Sequence, residues 1–359
     1  MIIMNIELDN IYSFNDFKLN FSYPKKIVNN TIRNEFLVDK PNFRYKKVNI
    51  LMGSNATGKS TLGKSIMKIF NFINKKELSF LEEFHNNKQK KLKFSLDYIN
   101  NFDINYLYRI NCEYIDKENV KLEIYKSKIN KTDSYEKCIK KFEKISDDNF
   151  DYLNNIEKIK IEGWNFSFPD FDFIDTVNLN IFNKILKTLD NTVKEVIKSK
   201  EVKDTYIISF KNRNDNVIVQ NGKVIDSSIL STGTKSGMDI ASILTAIYEN
   251  RNGFYYCDEK FSFINSEIEK TILSLMIEFL HDNTQLFFTT HNIEILDMDL
   301  PIHSFIFLNK RDKISVVNPE KYIKKNDVSL KNALQNEMFD FEPNLEYLYI
   351  LEEELKNEK

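Results

Sequence analysis

Apolar and polar residues alternate with the two-residue period of half-buried strands in several short segments of the chain. This period predicts strands over 91–98, 106–114 and 120–125, and further strands over 206–210, 217–219, 304–308 and 314–317. The residues expected to face inward in the first group are Leu92, Phe94, Leu96, Tyr106, Tyr108 and Ile110. Asn221–Gly222 predicts a tight hairpin turn between two of the later strands.

Other segments have the 3.6-residue period of amphipathic helices. Helices are predicted over 62–73, 238–247 and 181–197. The apolar face of the last one comprises Ile181, Ile185, Leu186, Leu189, Val193, Val196 and Ile197. Short apolar strands over 47–52, 254–257 and 285–288 precede or follow such helices, which predicts an α/β fold with a mixed central sheet.

Glycine is scarce, with 8 residues in 359, and it is concentrated in a few places. Because the usual level is about 7%, a chain this poor in glycine is expected to keep it where only glycine fits. Most of the glycines fall in or beside three segments, at Gly53, Gly58, Gly63, Gly233, Gly237 and Gly253. These segments are therefore the candidates for chemistry.

The first segment follows the strand at 47–52 and has the pattern GxxxxGK[ST] before a helix, which is the context of a phosphate-binding loop. Backbone amides of such a loop and the helix N-terminus converge on phosphate oxygens. Lys59 is expected to reach the β and γ phosphates, and the Ser60 hydroxyl to bind Mg²⁺. The predicted nucleotide-binding residues are Gly53, Ser54, Asn55, Ala56, Thr57, Gly58, Lys59, Ser60 and Thr61. The alternative is an ordinary glycine-rich turn.

The strand at 254–257 ends in two adjacent carboxylates, Asp258 and Glu259, which are costly at the end of a buried strand unless they bind something. Asp258 suits Mg²⁺, and Glu259 suits a base that orients water beside a phosphoryl group. His291 ends the next apolar strand, where it could contact a γ-phosphate. Its alternative role is to cap the following helix.

Ser231 and Gly233 begin a strongly apolar helix, and Lys235 follows within its first turn. Serine and glycine are common at helix starts, so an ordinary cap remains an alternative. The same arrangement of amides, helix dipole and small hydroxyl also makes an anion site. A second γ-phosphate site in one chain makes sense if it closes over the ATP of a partner.

These four segments, in this order, resemble the ABC-type ATPase heads of the SMC and RecF class. Within it they resemble the OLD-like AAA ATPases of bacterial antiphage and abortive-infection systems. The loop at 53–61 matches Walker A, 254–259 matches Walker B, 230–235 matches the signature motif, and 289–291 matches the switch histidine. Thr232 and Thr234 depart from the usual signature, and Asn265 stands at the D-loop position. Gln89 is a Q-loop candidate by position only.

The resemblance implies a P-loop NTPase head of the ABC type with a helical insertion. The head is expected over 1–125 and 203–328, a mostly helical insertion over 126–202, and a helical tail over 329–359. Head-to-tail dimers would enclose ATP and Mg²⁺, with Lys59, Ser60, Asp258, Glu259 and His291 from one chain. Ser231, Gly233 and Lys235 would come from the other. The output would lie in a separate effector, such as a Toprim-like or HNH nuclease.

Composition limits the alternatives. A formal net charge of −2 argues against a protein that coats nucleic acid by charge alone, although a RecF-like DNA-binding ATPase remains a rival. The short basic stretch is Lys88, Lys90, Lys91 and Lys93. A non-hydrolysing scaffold held by ATP is a second rival.

Other features favour an ordinary intracellular protein. The sequence has no apolar run of about 18 residues, so a cytoplasmic protein without membrane segments is expected. The three cysteines are far apart and show no metal spacing. Asp297 and Asp299 are interpreted as a cap rather than a nuclease centre, and no Toprim domain is expected after the tail. The aromatic segment 164–173 is interpreted as a buried edge or, alternatively, a partner surface.

Overall fold

The computed structural model describes residues 1–26, 31–100, 103–147, 151–168, 177–211, 213, 215–225, 230–262, 264–323, 329–336, 339 and 346–357. The strands within these residues are β1 (Ile2–Asp9), β2 (Phe17–Asn20), β3 (Phe36–Leu37), β4 (Lys40–Arg44), β5 (Val48–Met52), β6 (Leu92–Asn100), β7 (Asp103–Tyr114), β8 (Val120–Lys128), β9 (Glu143–Lys144), β10 (Trp164–Ser167), β11 (Val193–Lys198), β12 (Thr205–Phe210), β13 (Val217–Gln220), β14 (Lys223–Val224), β15 (Phe254–Asp258), β16 (Gln285–Thr290), β17 (Phe305–Lys310) and β18 (Ile314–Val317).

The α-helices within the same residues are α1 (Lys59–Lys75), α2 (Ser79–Phe84), α3 (Tyr135–Cys138), α4 (Tyr152–Ile156), α5 (Leu179–Leu189), α6 (Thr232–Tyr248), α7 (Ser266–Glu278), α8 (Leu330–Gln335) and α9 (Glu346–Asn357). Short 3₁₀-helices occupy Ile139–Lys141, Ile293–Asp297, Ile302–Ser304 and Pro319–Lys321.

The central sheet has the strand order β10-β15-β16-β5-β17-β18, and all its neighbours are parallel except β17 and β18. Successive side chains of its strands enter different clusters. In β15, Tyr256 belongs to the cluster that contains α1, whereas Tyr255 and Cys257 belong to the cluster that contains α6 and α7. Because both faces are covered, the inner strands are apolar throughout, as is usual for parallel sheets.

A second sheet is antiparallel, with the order β2-β1-β6-β7-β8-β9. The predicted strands at 91–98, 106–114 and 120–125 correspond to β6, β7 and β8. Leu92, Phe94 and Leu96 are buried as predicted, but Tyr106 and Tyr108 are only half-buried. The face of this sheet that is turned away from α1 is also covered, by a separate cluster around β1, β3 and β4. Both faces of β7 therefore carry apolar residues.

Gln285 joins the two large sheets. Its side chain is buried, and its Oε1 accepts from the Ile3 amide at 2.8 Å. Its Nε2 donates to the carbonyl oxygens of Ile3 and Lys46, each at 3.1 Å. A single glutamine thus ties β1 of the antiparallel sheet to the start of β16 in the central sheet.

The predicted insertion, 126–202, contains α3, α4 and α5 together with β9, β10 and β11. Strand β10 extends the central sheet by pairing with β15, with Trp164 opposite Phe254. Trp164 and Phe166 also pack on Phe70 of α1, with ring centroids 6.1 and 5.8 Å away. The segment 164–168 is therefore a covered part of the head, whereas 169–173 lies outside the described residues.

The helix predicted over 181–197 is wrong in its second half. Helix α5 ends at Leu189, and residues from Val193 form β11, which pairs with β12. Asp190 ends the helix because its carboxylate accepts from the amide and hydroxyl of Thr192, at 2.9 and 2.6 Å. The hairpin predicted at Asn221–Gly222 is present between β13 and β14, with positive φ at both residues.

Candidate functional site

The predicted site segments leave the central sheet at neighbouring strand ends. Asp258 ends β15 and pairs with Thr289 of β16, and Thr290 pairs with Met52 at the end of β5. The predicted phosphate loop, 53–58, follows Met52 directly. Because parallel strands end at one edge of a sheet, the structure brings the loop and both carboxylates together there. Ligands of α/β proteins bind at this kind of edge.

Two glycines of the loop lie where a side chain would not fit. A Cβ on Gly53 would be 2.4 Å from Thr57 Oγ1 and 2.6 Å from the carbonyl oxygen of Leu308. Gly58 has a φ of 102°, a conformation that other residues rarely adopt, and it directly precedes α1. With no side-chain cap there, the first amides of α1 remain available to an anion.

Strand β15, which ends in Asp258, also holds the start of α1 in place. The Tyr256 hydroxyl of β15 donates to the carbonyl oxygen of Lys59 at 2.7 Å. A Cβ on Gly63 would lie 2.4 Å from the Tyr256 ring, so helix and strand approach as closely as a glycine allows. Asn55 and Ala56 at the tip of the loop are exposed.

Lys59 is almost fully buried, and its ammonium group already has three oxygen partners. Nζ lies 2.8 Å from the carbonyl oxygen of Gly53, 3.2 Å from that of Ser54, and 3.1 Å from Glu259 Oε1. Glu259 itself has a φ of 44°, which is unusual for a residue other than glycine. Its amide is held by the Thr289 hydroxyl at 2.9 Å. The predicted phosphate ligand and the predicted base are therefore in direct contact.

Asp258 is completely buried. Thr289 donates to its Oδ1 at 2.8 Å, whereas its Oδ2 is buried with no hydrogen-bond partner among the described residues. Burial raises the pKa of Asp258 above its ordinary value, and the hydroxyls of Ser60 and Thr289 partly oppose this rise. A buried carboxylate oxygen without a partner, beside a half-buried serine hydroxyl, fits Mg²⁺, which takes few protein oxygens when phosphates supply others.

His291 is exposed, and a network fixes the residues on either side of it. The Thr290 hydroxyl and the Asn292 amide donate to the two carboxylate oxygens of Glu269, at 2.8 and 2.7 Å. Asn292 also caps the next 3₁₀-helix by accepting from the Glu294 amide. The capping role that was the alternative for His291 thus belongs to its neighbour.

The predicted signature residues lie at the start of α6. Ser231 is the N-cap residue, and its Oγ accepts from the Thr234 amide at 3.0 Å. The Thr234 hydroxyl is buried and donates to Asp190 at 3.0 Å. Thr234, which departs from the usual motif, thus anchors the helix start to the end of α5. Ser231 and Lys235 are exposed.

The two glycines of this segment have different environments. A Cβ on Gly237 would lie 2.6 Å from Leu189 and 3.1 Å from Leu186, so α6 packs closely on α5 at this glycine. A Cβ on Gly233 would find only Ser231 Oγ, at 3.8 Å. Nothing in the described part of this chain requires a glycine at position 233.

Two further sequence candidates have ordinary local roles. Asn265 is the N-cap of α7 and accepts from the Glu267 amide at 2.8 Å. Gln89 is exposed in the turn before β6, where its amide donates to Asn87.

In the basic stretch, Lys91 and Lys93 lie 3.0 and 3.7 Å from Glu113, as expected for a solvated strand face. Lys88 donates to the carbonyl oxygen of Glu82. Asp297 of the DxD segment pairs with Lys331.

Sequence reasoning missed several residues that hold the site. Glu269 lies within α7 and Asp190 directly follows α5, and no motif marks either of them. Tyr256 falls within the Walker B match, but nothing in that motif distinguishes it from its apolar neighbours. Thr289 falls within the match at 289–291, and its position as a polar residue in an apolar strand beside the strand that bears Asp258 is a second signal.

Comparisons with known proteins concern the fold. No protein-family model matches the chain, and no curated protein matches it. An SMC head domain with an extended coiled coil from Pyrococcus furiosus, solved with the C-terminal domain of ScpA, is similar with a TM-score of 0.51. Its identity is 12%, over 89% of this chain and 97% of that one.

Two other solved structures are similar over most of their length. An SMC head bound to the C-winged helix domain of ScpA has a TM-score of 0.49 and 15% identity, over 90% of this chain and 100% of that one. The recombination mediator RecF has a TM-score of 0.44 and 13% identity, over 88% and 98%.

This chain has the fold of an SMC-type ATPase head. The predicted fold class is thereby confirmed. No helix of the described residues is long and apolar enough to cross a membrane. Within the same residues, no group of three or more His, Cys, Asp or Glu side chains could hold a metal ion.

Proposed function

We propose that the protein binds ATP with Mg²⁺ and hydrolyses it in a head-to-tail dimer of ABC-type heads. The observation that carries this proposal is the meeting of Lys59, Glu259 and the unpartnered Asp258 Oδ2 at one edge of the central sheet. A basic side chain, a base and a metal-ligating oxygen are the groups that phosphoryl transfer to water requires.

The contacts of Lys59, Glu259 and Asp258 suggest the order in which these residues act during nucleotide binding and hydrolysis. A triphosphate in the loop would compete with the carbonyl oxygens and Glu259 for the Lys59 ammonium group. Release from Lys59 leaves Glu259 able to accept a hydrogen bond from water. Ser60 and Asp258 would hold Mg²⁺, which neutralises phosphate charge. His291, fixed by its neighbours, would donate to the γ-phosphate.

The environment of Gly233 supports completion of the site by a second chain. The first amides of α6 have no partner inside the helix, and Ser231 and Lys235 beside them are exposed. Gly233 leaves open space at the same place. Close approach of a phosphate to the backbone explains a glycine there, whereas packing among the described residues does not.

The biological role is proposed from the sequence resemblance. The ATPase would act as the sensor or motor of an antiphage system and control a separate effector, such as a Toprim-like or HNH nuclease. A RecF- or SMC-like DNA-binding ATPase is the alternative, and salt-dependent binding of the isolated protein to duplex DNA would favour it.

The test is steady-state ATP hydrolysis of the wild type beside Ser231→Arg, with ATP binding measured in both. Arginine at this position would block a partner's phosphate and also remove the cap of α6, which costs about 1 kcal/mol. Ser329→Arg is the matched control, because Ser329 is an exposed N-cap residue of α8 that accepts from the Asn332 amide.

Hydrolysis by the wild type and by Ser329→Arg, with normal ATP binding but no turnover in Ser231→Arg, is the expected result. Equal turnover in all three proteins would refute completion in trans. ATP binding without turnover in any of them would instead identify a scaffold held together by ATP.

A further inference from the structure

A buried ion pair connects the candidate base to the signature helix of the same chain. Lys260 directly follows Glu259, and its Nζ lies 2.6 Å from Asp239 Oδ2 on α6. The side chains are 2% and 18% exposed. Burying two charges costs free energy that the pair recovers only with good geometry, so its position between two functional elements calls for an explanation.

The ion pair lies close to the two features that it would connect, the start of α6 and Glu259. On α6, Asp239 is eight residues after Ser231, which places it about 12 Å along the helix from the predicted contact with a partner's nucleotide. On the other side, a single peptide unit separates Lys260 from Glu259. If contact with a partner's nucleotide moved α6, the displacement would therefore reach Glu259 through one ion pair and one peptide unit.

Glu259 is in a conformation that such a movement would change. Its φ of 44° is a strained value that persists only when the surroundings impose it. Several contacts do so here: the Thr289 hydroxyl holds its amide, the Ser262 hydroxyl donates to its carbonyl oxygen at 3.0 Å, and the pair with Asp239 holds the next residue. In the present arrangement its carboxylate is turned toward Lys59.

We propose that the Asp239–Lys260 pair transmits engagement of the signature helix by a partner's nucleotide to Glu259 of the same chain. Each site then hydrolyses ATP efficiently only when the neighbouring site is loaded. Asp239 and Lys260 are positioning residues in this scheme, since neither touches the nucleotide. The inference rests on the proposed dimeric ATPase and adds the route by which its two sites communicate.

The experiment measures hydrolysis as a function of ATP concentration, with ATP binding measured separately by equilibrium dialysis. The variants are Asp239→Asn, which removes the charge, and Asp239→Glu, which keeps the pair but displaces the carboxylate by one methylene. Glu320→Gln is the matched control: the Lys46–Glu320 pair has the same exposures, 2% and 18%, at 2.8 Å. It lies by the opposite ends of the central strands, because Lys46 precedes β5.

For the wild type we expect cooperative hydrolysis, with a Hill coefficient above about 1.5 and at most about 2, the latter being the number of sites. Asp239→Asn should bind ATP normally, lose about five- to a hundredfold in kcat, and show a Hill coefficient near 1. Asp239→Glu should fall between the two. Glu320→Gln should retain the wild-type coefficient.

Three results would overturn the coupling. They are a wild-type Hill coefficient of about 1, an unchanged coefficient in both Asp239 variants, and an equal effect of Glu320→Gln. Each leaves hydrolysis and its dependence on Ser231 intact, so the proposed function would survive. Absence of hydrolysis in the wild type, or turnover that is indifferent to Ser231→Arg, would remove the proposed function and the coupling together.

Discussion

Gly233→Ala is predicted to stabilise the protein and to impair hydrolysis at the same time. A Cβ at this position meets no atom of the described chain closer than 3.8 Å, and the residue lies in the first turn of α6. Alanine restricts the unfolded chain more than glycine does, so it should favour the folded helix. The same methyl group would occupy the space that a partner's phosphate needs.

The two magnitudes follow from separate causes. Replacing glycine by alanine in a helix is worth roughly 0.5–1 kcal/mol, and the lower end applies to a first turn. A lost hydrogen bond from an amide to a charged phosphate costs about 1.5–3 kcal/mol, which is about ten- to a hundredfold in turnover. Gly237→Ala, in the same helix, should gain less stability than Gly233→Ala, because its Cβ would lie 2.6 Å from the end of the Leu189 side chain, which would have to shift.

Urea unfolding of the nucleotide-free proteins measures the predicted gain in stability, and steady-state phosphate release measures the predicted loss of hydrolysis. The reasoning is refuted if Gly233→Ala hydrolyses ATP like the wild type, since no phosphate then approaches this backbone. A loss of stability in Gly233→Ala would equally contradict it, because the open space at position 233 would then be filled.

Two further predictions concern buried polar groups. Burial raises the pKa of Asp258, so the contribution of this carboxyl group to stability should fall as pH rises above its ordinary pKa of 3.8. Asp258→Asn should reduce that loss and be more stable than the wild type at pH 7, while Mg²⁺-dependent hydrolysis falls by at least about 100-fold. Unfolding curves across pH test this, and a variant less stable at pH 7 would contradict it. Gln285→Leu should destabilise the fold by at least about 2 kcal/mol, because it leaves polar groups of Ile3 and Lys46 unpaired. A urea midpoint equal to that of the wild type would show that the link between the sheets is dispensable.

The sequence was sufficient to predict a glycine-dependent loop at 53–58 because backbone geometry there demands particular residues. A side chain on Gly53 would collide with its neighbours, and Gly58 has a positive φ. The glycine positions of the motif therefore follow directly from the backbone geometry of the loop. The hairpin at Asn221–Gly222 was predictable for the same reason. In both cases the constraint is local in the chain.

Features that depend on contacts between distant parts of the chain were harder to predict from local sequence patterns. Val193, Val196 and Ile197 fit the spacing of a helix face, yet β11 forms there because it can pair with β12. Tyr106 was expected to be buried in a one-sided sheet, but the ammonium group of Lys126 lies over its ring at 3.7 Å. The Asp239–Lys260 pair joins positions that no pattern relates, so only the folded chain reveals it.

The strand order of the central sheet has a consequence for how the site is assembled during synthesis. Strand β16 lies between β15 and β5, although it is the last of the three in the chain. A growing chain that has just completed β15 already holds the phosphate loop and both carboxylates, but the strand that separates and aligns them is missing. Such non-local pairing is slow to form. Nucleotide binding should therefore appear late in folding, when β16 enters the gap and brings Lys59 and Glu259 to their contact distance.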